Sequence, residues 1–269
     1  MKARVRRWLE EGTVDVFIGY RQVDGHPLPY CFTRENLDAL DGLINSPARY
    51  ALEKIATHLA SRQPDLKIGI LSLDTNRRAL NVLGIWNQIN PENITTVDAD
   101  DAASGVATPD DMRTFEPVVP GPYKQQVGID NAMSPADAEA FDQSERFSRW
   151  MYEFEKCIKC YGCRNICPVC FCRECSLEHR DLIGTGPLPP DVPIFHLVRA
   201  VHMAGRCIDC GLCEEACPAD ISLRLLYRKV NQILDNVFEY QTGSDPGQPP
   251  FSLLGNQVTL EPKPLDADK

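Results

Sequence analysis

Eleven of the chain's twelve cysteines fall between Cys157 and Cys217, and eight of them form a repeat. Cys157-Ile-Lys-Cys160-Tyr-Gly-Cys163-Arg-Asn-Ile-Cys167-Pro168 is echoed 50 residues later by Cys207-Ile-Asp-Cys210-Gly-Leu-Cys213-Glu-Glu-Ala-Cys217-Pro218. Both copies follow the C-x₂-C-x₂-C-x₃-C-P run of bacterial-type ferredoxins, in which the fourth cysteine serves the other cluster. Three thiolates at this spacing wrap one face of an iron–sulfur cube in a tight loop whose backbone N–H groups can point at sulfur. The fourth cysteine is expected to open a short helix after the Pro and to reach across. Cys157, Cys160, Cys163 and Cys217 are therefore expected to hold one 4Fe–4S cluster, and Cys207, Cys210, Cys213 and Cys167 a second. A pair of structural zinc sites is the competing reading, since C-x₂-C pairs are common there. Zinc knuckles need two cysteines each, however, and leave the third thiol and the Cys-Pro without a task.

Three cysteines stand beside the repeat, Cys170, Cys172 and Cys175, packed into six residues. They form a candidate third iron–sulfur site whose fourth ligand would be Cys31, in the candidate strand Pro29-Tyr-Cys-Phe-Thr, or a partner's group, with His179 a weaker candidate. As a lone cysteine, Cys31 also reads as a small buried hydrophobe. His196 and His202 lie on an expected helix leading into the second repeat; six residues apart, they do not share a face and read as packing or surface residues. The first cysteine loop is basic (Lys156, Lys159, Arg164) and the second acidic (Asp209, Glu214, Glu215). If those charges act on the clusters, the first-loop cluster has the higher potential, and electrons run from the second site to the first, toward an acceptor near Lys159. Screening by solvent would cancel the effect. No Gly-x-Gly-x-x-Gly follows a strand and no phosphate loop is present. A credible Ser/His/Asp or Cys/His nucleophile is also missing.

The elements that carry these residues fall into regions. Residues 1–97 read as an α/β domain, with strands at Val14-Asp-Val-Phe-Ile-Gly-Tyr, at Lys67-Ile-Gly-Ile-Leu-Ser-Leu and at Ile94-Thr-Thr-Val. A helix is expected from Ser46-Pro47 to about Arg62, and another from Thr75 to Ile89. Strand–helix–strand order favours parallel pairing. Residues 98–133 read as an acidic linker. From Asp98 to Glu145, 11 acids stand against two bases, which accounts for −9 of the chain's formal −10. Such a segment is a solvated linker or an acidic strap for a basic partner. Residues 134–241 form the cysteine module, opened by a helix capped at Ser134-Pro135-Ala-Asp137 that places Phe147, Trp150, Met151 and Phe154 on one face. Residues 242–269 are a Pro-rich tail. The fold class expected is an α/β N-terminal unit plus an α+β, bacterial-type dicluster ferredoxin-like module.

Composition narrows the class further. The balance of 43% hydrophobic and 25% charged residues is that of a globular protein. The net charge of −10 argues against nucleic acid, which rewards basic surfaces. No apolar run approaches the roughly 18 residues of a membrane span. The N-terminus, Met1-Lys-Ala-Arg-Val-Arg-Arg, is basic but no apolar core follows, so no signal peptide is expected and the location expected is cytoplasmic. Clustered cysteines in such a chain point to metal rather than disulfides.

The run Cys157-Ile-Lys-Cys-Tyr-Gly-Cys-Arg-Asn-Ile-Cys-Pro-Val-Cys-Phe-Cys, with Ile194-Phe-His-Leu-Val-Arg-Ala-Val-His-Met-Ala-Gly-Arg-Cys, resembles a family of dicluster ferredoxin-like iron–sulfur subunits. These are related to the beta subunit of deazaflavin-coenzyme hydrogenases and dehydrogenases, and accompany heterodisulfide-reductase-like, formate dehydrogenase and hydrogenase modules in anaerobes. The resemblance covers residues 147–240 and is weaker through Phe32-Thr-Arg34 and Asn76-Arg-Arg-Ala-Leu80. It implies an electron-transfer subunit without catalysis of its own, relaying electrons between a partner's flavin or iron–sulfur centres. The alternative is a flavin-binding oxidoreductase subunit with the flavin (FAD) in the N-terminal domain. Where the family carries cysteines near Ala48, near Asp74-Thr75 and near Asp98–Asp101, this chain has none. A cluster built between the N-terminal half and the Cys170–Cys175 group is then either lost or rebuilt with Cys31 and a partner.

Overall fold

In a computed structural model, the described residues are 1–46, 48–98, 133–178, 192–244, 247 and 249–250. The chain divides into two compact units, Met1–Thr114 and Phe115–Lys269. The expected linker lies almost wholly outside the described residues, as do His179 and most of the Pro-rich tail.

The N-terminal unit is a mixed sheet with helices. After α1 (Lys2–Glu11), β1 (Val16–Val23) turns back into β2 (His26–Thr33), and the two pair antiparallel along their whole length. The turn is Asp24-Gly25, both at positive φ (48° and 83°), the geometry whose twist matches a two-residue hairpin. A 3-10 segment, Arg34–Gly42, leads to the short β3 (Leu43–Ile44), which pairs antiparallel with Tyr20 and Arg21 of β1. Then come α2 (Leu52–Arg62), β4 (Ile68–Ser72), α3 (Asp74–Ile85) and β5 (Ile94–Asp98). β4 lies parallel to β1 and β5 parallel to β4, giving the order β2-β1-β4-β5. The expectation of parallel pairing therefore holds for β1, β4 and β5 but not for the hairpin and β3. Ile68 and Ile70 of β4 are fully buried, as are Phe17 and Ile18 of β1, each such side chain stabilising the unit by roughly 1.5–3 kcal/mol.

The first expected helix starts late. The Ser46 hydroxyl accepts the Ala48 N–H at 3.1 Å, a local turn rather than a cap, and helix begins only at Leu52. Its first turn buries Glu53, 2% exposed, where the Asn76 side-chain amide donates to Oε1. Asn76 Oδ1 in turn accepts the Leu73 N–H at 2.8 Å, so one amide ties α2 to the loop after β4.

The C-terminal unit is helical among the described residues, which corrects the expected α+β module. The segments flanking the cysteine runs carry helical rather than alternating periodicity. Ser134 caps α4 (Pro135–Glu139) as its sequence predicts, but Asp142 caps a separate helix, α5 (Gln143–Glu155). The break turns Phe147 outward, 65% exposed, while Phe154 stays buried. Four-residue helices carry the third cysteine of each triplet, α6 (Gly162–Asn165) and α8 (Leu212–Glu215). Between them runs α7 (Val192–His202), and α9 (Leu223–Phe238) closes the unit. Glu153, buried on α5, pairs with Lys156 at 2.6 Å and accepts the Ser222 N–H at 3.3 Å, clasping α5 to the start of α9.

Candidate metal centre

The two cysteine loops repeat in backbone as they do in sequence. Lys159 and Tyr161 sit at φ 50° and 59°, and their counterparts Asp209 and Gly211 at 56° and 80°. This left-handed kink turns an amide inward: the Lys159 N–H donates to Cys157 Sγ at 3.3 Å, and the Asp209 N–H does the same for Cys207. The short helices match bond for bond. Arg164, Asn165 and Ile166 donate to the carbonyls of Tyr161 and Gly162, just as Glu214, Glu215 and Ala216 donate to those of Gly211 and Leu212. Cys167 and Cys217 stand just past the C-caps of these helices, their N–H groups bonded to the carbonyls of Arg164 and Glu214. That corrects the expectation of a helix opening after Cys-Pro; a turn follows instead. Gly162 permits the loops to approach, since a Cβ there would lie 3.1 Å from the Ala216 carbonyl and 3.5 Å from Cys160 Sγ.

The approach sorts the thiols into crossed sets. Cys157, Cys160 and Cys163 share a cavity of about 330 Å³, counted to its open mouth, with Cys217 of the second run. Cys207, Cys210 and Cys213 share one of about 370 Å³ with Cys167 of the first. The electrostatics sort them the same way. Burial pushes the Cys163 thiol up, as do Cys157, Cys217 and Cys160, against the pull of Arg199. Burial likewise pushes Cys207 up to about 12, with Cys167 and Cys210 adding to it. Cys213 is raised by burial and by Cys207, Cys167 and Cys210. Burial and mutual crowding thus disfavour free thiolates in both sets, a cost that a positively charged metal core would relieve.

Each loop is anchored from outside. Arg224, Arg228 and Asn231, on one face of α9, hold the second: the arginines pair with Asp209 at 2.7 and 3.1 Å, and Asn231 donates to the Cys207 carbonyl at 2.9 Å. In the first, the Tyr161 hydroxyl donates to the Leu177 carbonyl at 3.0 Å, and Arg164 pairs with Glu178 at 2.5 Å. Of the loop charges, Lys156, Arg164 and Asp209 thus have opposite charges beside them.

Helix α7 supplies residues that sequence reasoning undervalued. His196 is 1% exposed, stacked on Phe154 at 5.0 Å, and lines the first cavity. Neither ring nitrogen has a hydrogen-bond partner among the described residues. Burial, then the Arg199 charge, pushes its pKa down to about 4, so it stands neutral with one N–H to donate. Arg199, three residues on, lines the second cavity and donates to the Cys163 carbonyl at 2.8 Å. A lone arginine in the apolar run Phe195–Val201 was the available signal. Tyr227 of α9, buried on the wall of the second cavity, was not foreseen at all.

The three remaining thiols of this unit each meet a guanidinium. Arg199 lies 3.8 Å from Cys170 Sγ, Arg206 lies 3.5 Å from Cys172 Sγ, and Arg164 bonds Cys175. Cys31 belongs to the other unit, on β2 opposite Ile18, half-buried, its thiol pushed up by burial.

Comparison with known proteins now bears on this geometry. Residues 200–221 match the family model of a 4Fe-4S binding domain. The chain is 42% identical over 103 residues to the F420-dependent formate dehydrogenase subunit beta of Methanocaldococcus jannaschii, covering 38% of this chain and 27% of that protein. It is 46% identical over 101 residues to the F420-dependent formate dehydrogenase 1 subunit beta of Methanococcus maripaludis, covering 38% and 26%. These matches bear out the resemblance carried by the cysteine runs. The chain spans about a quarter of the length of these relatives.

Proposed function

We propose that this chain is an electron-transfer subunit of a redox complex, holding two 4Fe–4S clusters in its C-terminal unit. Cys157, Cys160, Cys163 and Cys217 would hold the first, and Cys207, Cys210, Cys213 and Cys167 the second. The observation that carries this is the pair of cavities, each walled by three thiols from one run and one from the other. Three thiols from one run and a fourth from the other match the ferredoxin pattern, whereas a zinc knuckle would leave the third thiol of each run without a task.

When bound, each cluster supplies a one-electron couple. The chain's own residues fix the rest. The inward amides of Lys159 and Asp209 hold thiolate charge. The exposed Cys160 marks the edge of the first site nearest solvent. Phe195, Ile221 and Leu223 keep water from its inner wall. The relatives' names point to a formate dehydrogenase type of complex, with an alpha subunit or a flavin or iron–sulfur partner on either side of the relay. No helix among the described residues is long and apolar enough to cross a membrane.

Iron and acid-labile sulfide analysis of anaerobically purified protein tests the reading. About eight irons per chain are expected, and about twelve if Cys170, Cys172 and Cys175 carry a third cluster. Zinc equal to the number of sites, without iron, would overturn it.

A further inference from the structure

Three charged side chains on the cysteine loops have opposite charges beside them. Lys156 faces Glu153, Arg164 faces Glu178, and Asp209 faces Arg224 and Arg228. Arg199 differs. It is 2% exposed, and no carboxylate among the described residues pairs with it. Its Nη2 donates to the Cys163 carbonyl at 2.8 Å and its Nη1 lies 3.8 Å from Cys170 Sγ. Nε is buried without a partner, and the guanidinium carbon sits 5.7 Å from the Tyr227 ring centre.

Burying a cation costs several kcal/mol unless negative charge is brought to it. Arg199 lines the second cavity with Cys167 and Cys213 and bonds the carbonyl of Cys163 of the first set, while Cys170 and the Tyr227 phenol also adjoin it. Thiolates binding clusters would give the charge its partner on two sides at once. Taking up an electron makes and breaks no bond; it adds one negative charge to whichever site accepts it, and a nearby buried cation stabilises that charge.

We infer that Arg199 is the counter-cation shared by both cluster sites, favouring the reduced state at each and so setting both potentials together. The inference rests on the two-cluster reading and gives the relay its tuning element. Loop charges such as Lys159 are then secondary.

The test is a redox titration of the anaerobically purified full chain, with dithionite as reductant, followed by paramagnetic resonance. Both midpoints should fall in Arg199→Gln, each by about a tenfold loss in preference for the reduced form, which for a one-electron couple is about 59 mV. In Arg199→Lys the compact ammonium cannot span both sites as the planar fork does, so the gap between the two midpoints should change. Wild-type midpoints in Arg199→Gln, or a fall at one site alone, would overturn the inference. Should that variant fail to load iron, an unchanged gap in Arg199→Lys overturns it instead. About eight irons in the wild-type chain, with midpoints that do not move in the Arg199 variants, sinks this inference only; a wild-type chain without iron sinks the two-cluster reading beneath it.

Discussion

Tyr161 holds a left-handed backbone where the second repeat has Gly211, at a cost of about 1–2 kcal/mol for a residue with a Cβ. Its side chain offsets that through the hydroxyl bond to Leu177, an edge contact with Phe195 at 5.5 Å and the Arg164 guanidinium over its ring. Tyr161→Ala should therefore unfold more easily than Tyr161→Gly, by about 1 kcal/mol, the reverse of the usual order. Thermal unfolding of the iron-loaded variants checks it, and equal midpoints would mean the kink is not strained. At Asp209, neutralisation by Asp209→Asn would remove the carboxylate that Arg224 and Arg228 share beside the second site. Its midpoint should rise in a redox titration while the first stays where it was. The cysteines were legible because thiolate spacing is dictated by the group they hold. Arg199 was not, because an arginine on a helix reads as solvated unless the packing on its face is known.

Among the elements, the hairpin was within reach of the sequence: Asp24-Gly25 between two apolar runs is a strong turn signal. The strand–helix–strand order farther along outweighed it, although both patterns coexist in one mixed sheet. The late start of α2 was harder to foresee, since Ser46-Pro47 reads as a cap and only the Ser46–Ala48 turn shows otherwise. That late start also puts Glu53 in the first turn of α2, buried. Burial raises its pKa to about 7, against the hydrogen bond from Asn76 that lowers it. The folded unit keeps the Glu53 proton up to about pH 7, whereas the unfolded chain releases it near 4.5. The folded state binds more protons in that window, so stability falls as pH rises through it. The contribution is complete below 4.5 and gone above 7. Glu53→Gln keeps an acceptor for Asn76 without the charge, and should flatten this loss, worth up to ~3 kcal/mol at pH 8. Unfolding midpoints of both proteins between pH 5 and 8 decide it; parallel curves would place the pH response elsewhere.

Over the whole molecule, the proposed crossing of ligands would make the two cysteine runs interdependent, neither repeat holding a complete site by itself. The family resemblance was readable from the runs, and the division into an α/β unit and a cysteine module follows from where the thiols begin. The helical character of that module was misjudged, because the ferredoxin spacing suggested strands that its flanking segments do not encode. The most direct test of the account is Cys167→Ser, with paramagnetic resonance on the reduced chain. The cluster held by Cys207, Cys210 and Cys213 should lose or change its signal, while the one beside Cys157, Cys160 and Cys163 keeps its own. An altered first signal with the second intact would contradict the crossing, and with it the arrangement on which the relay rests.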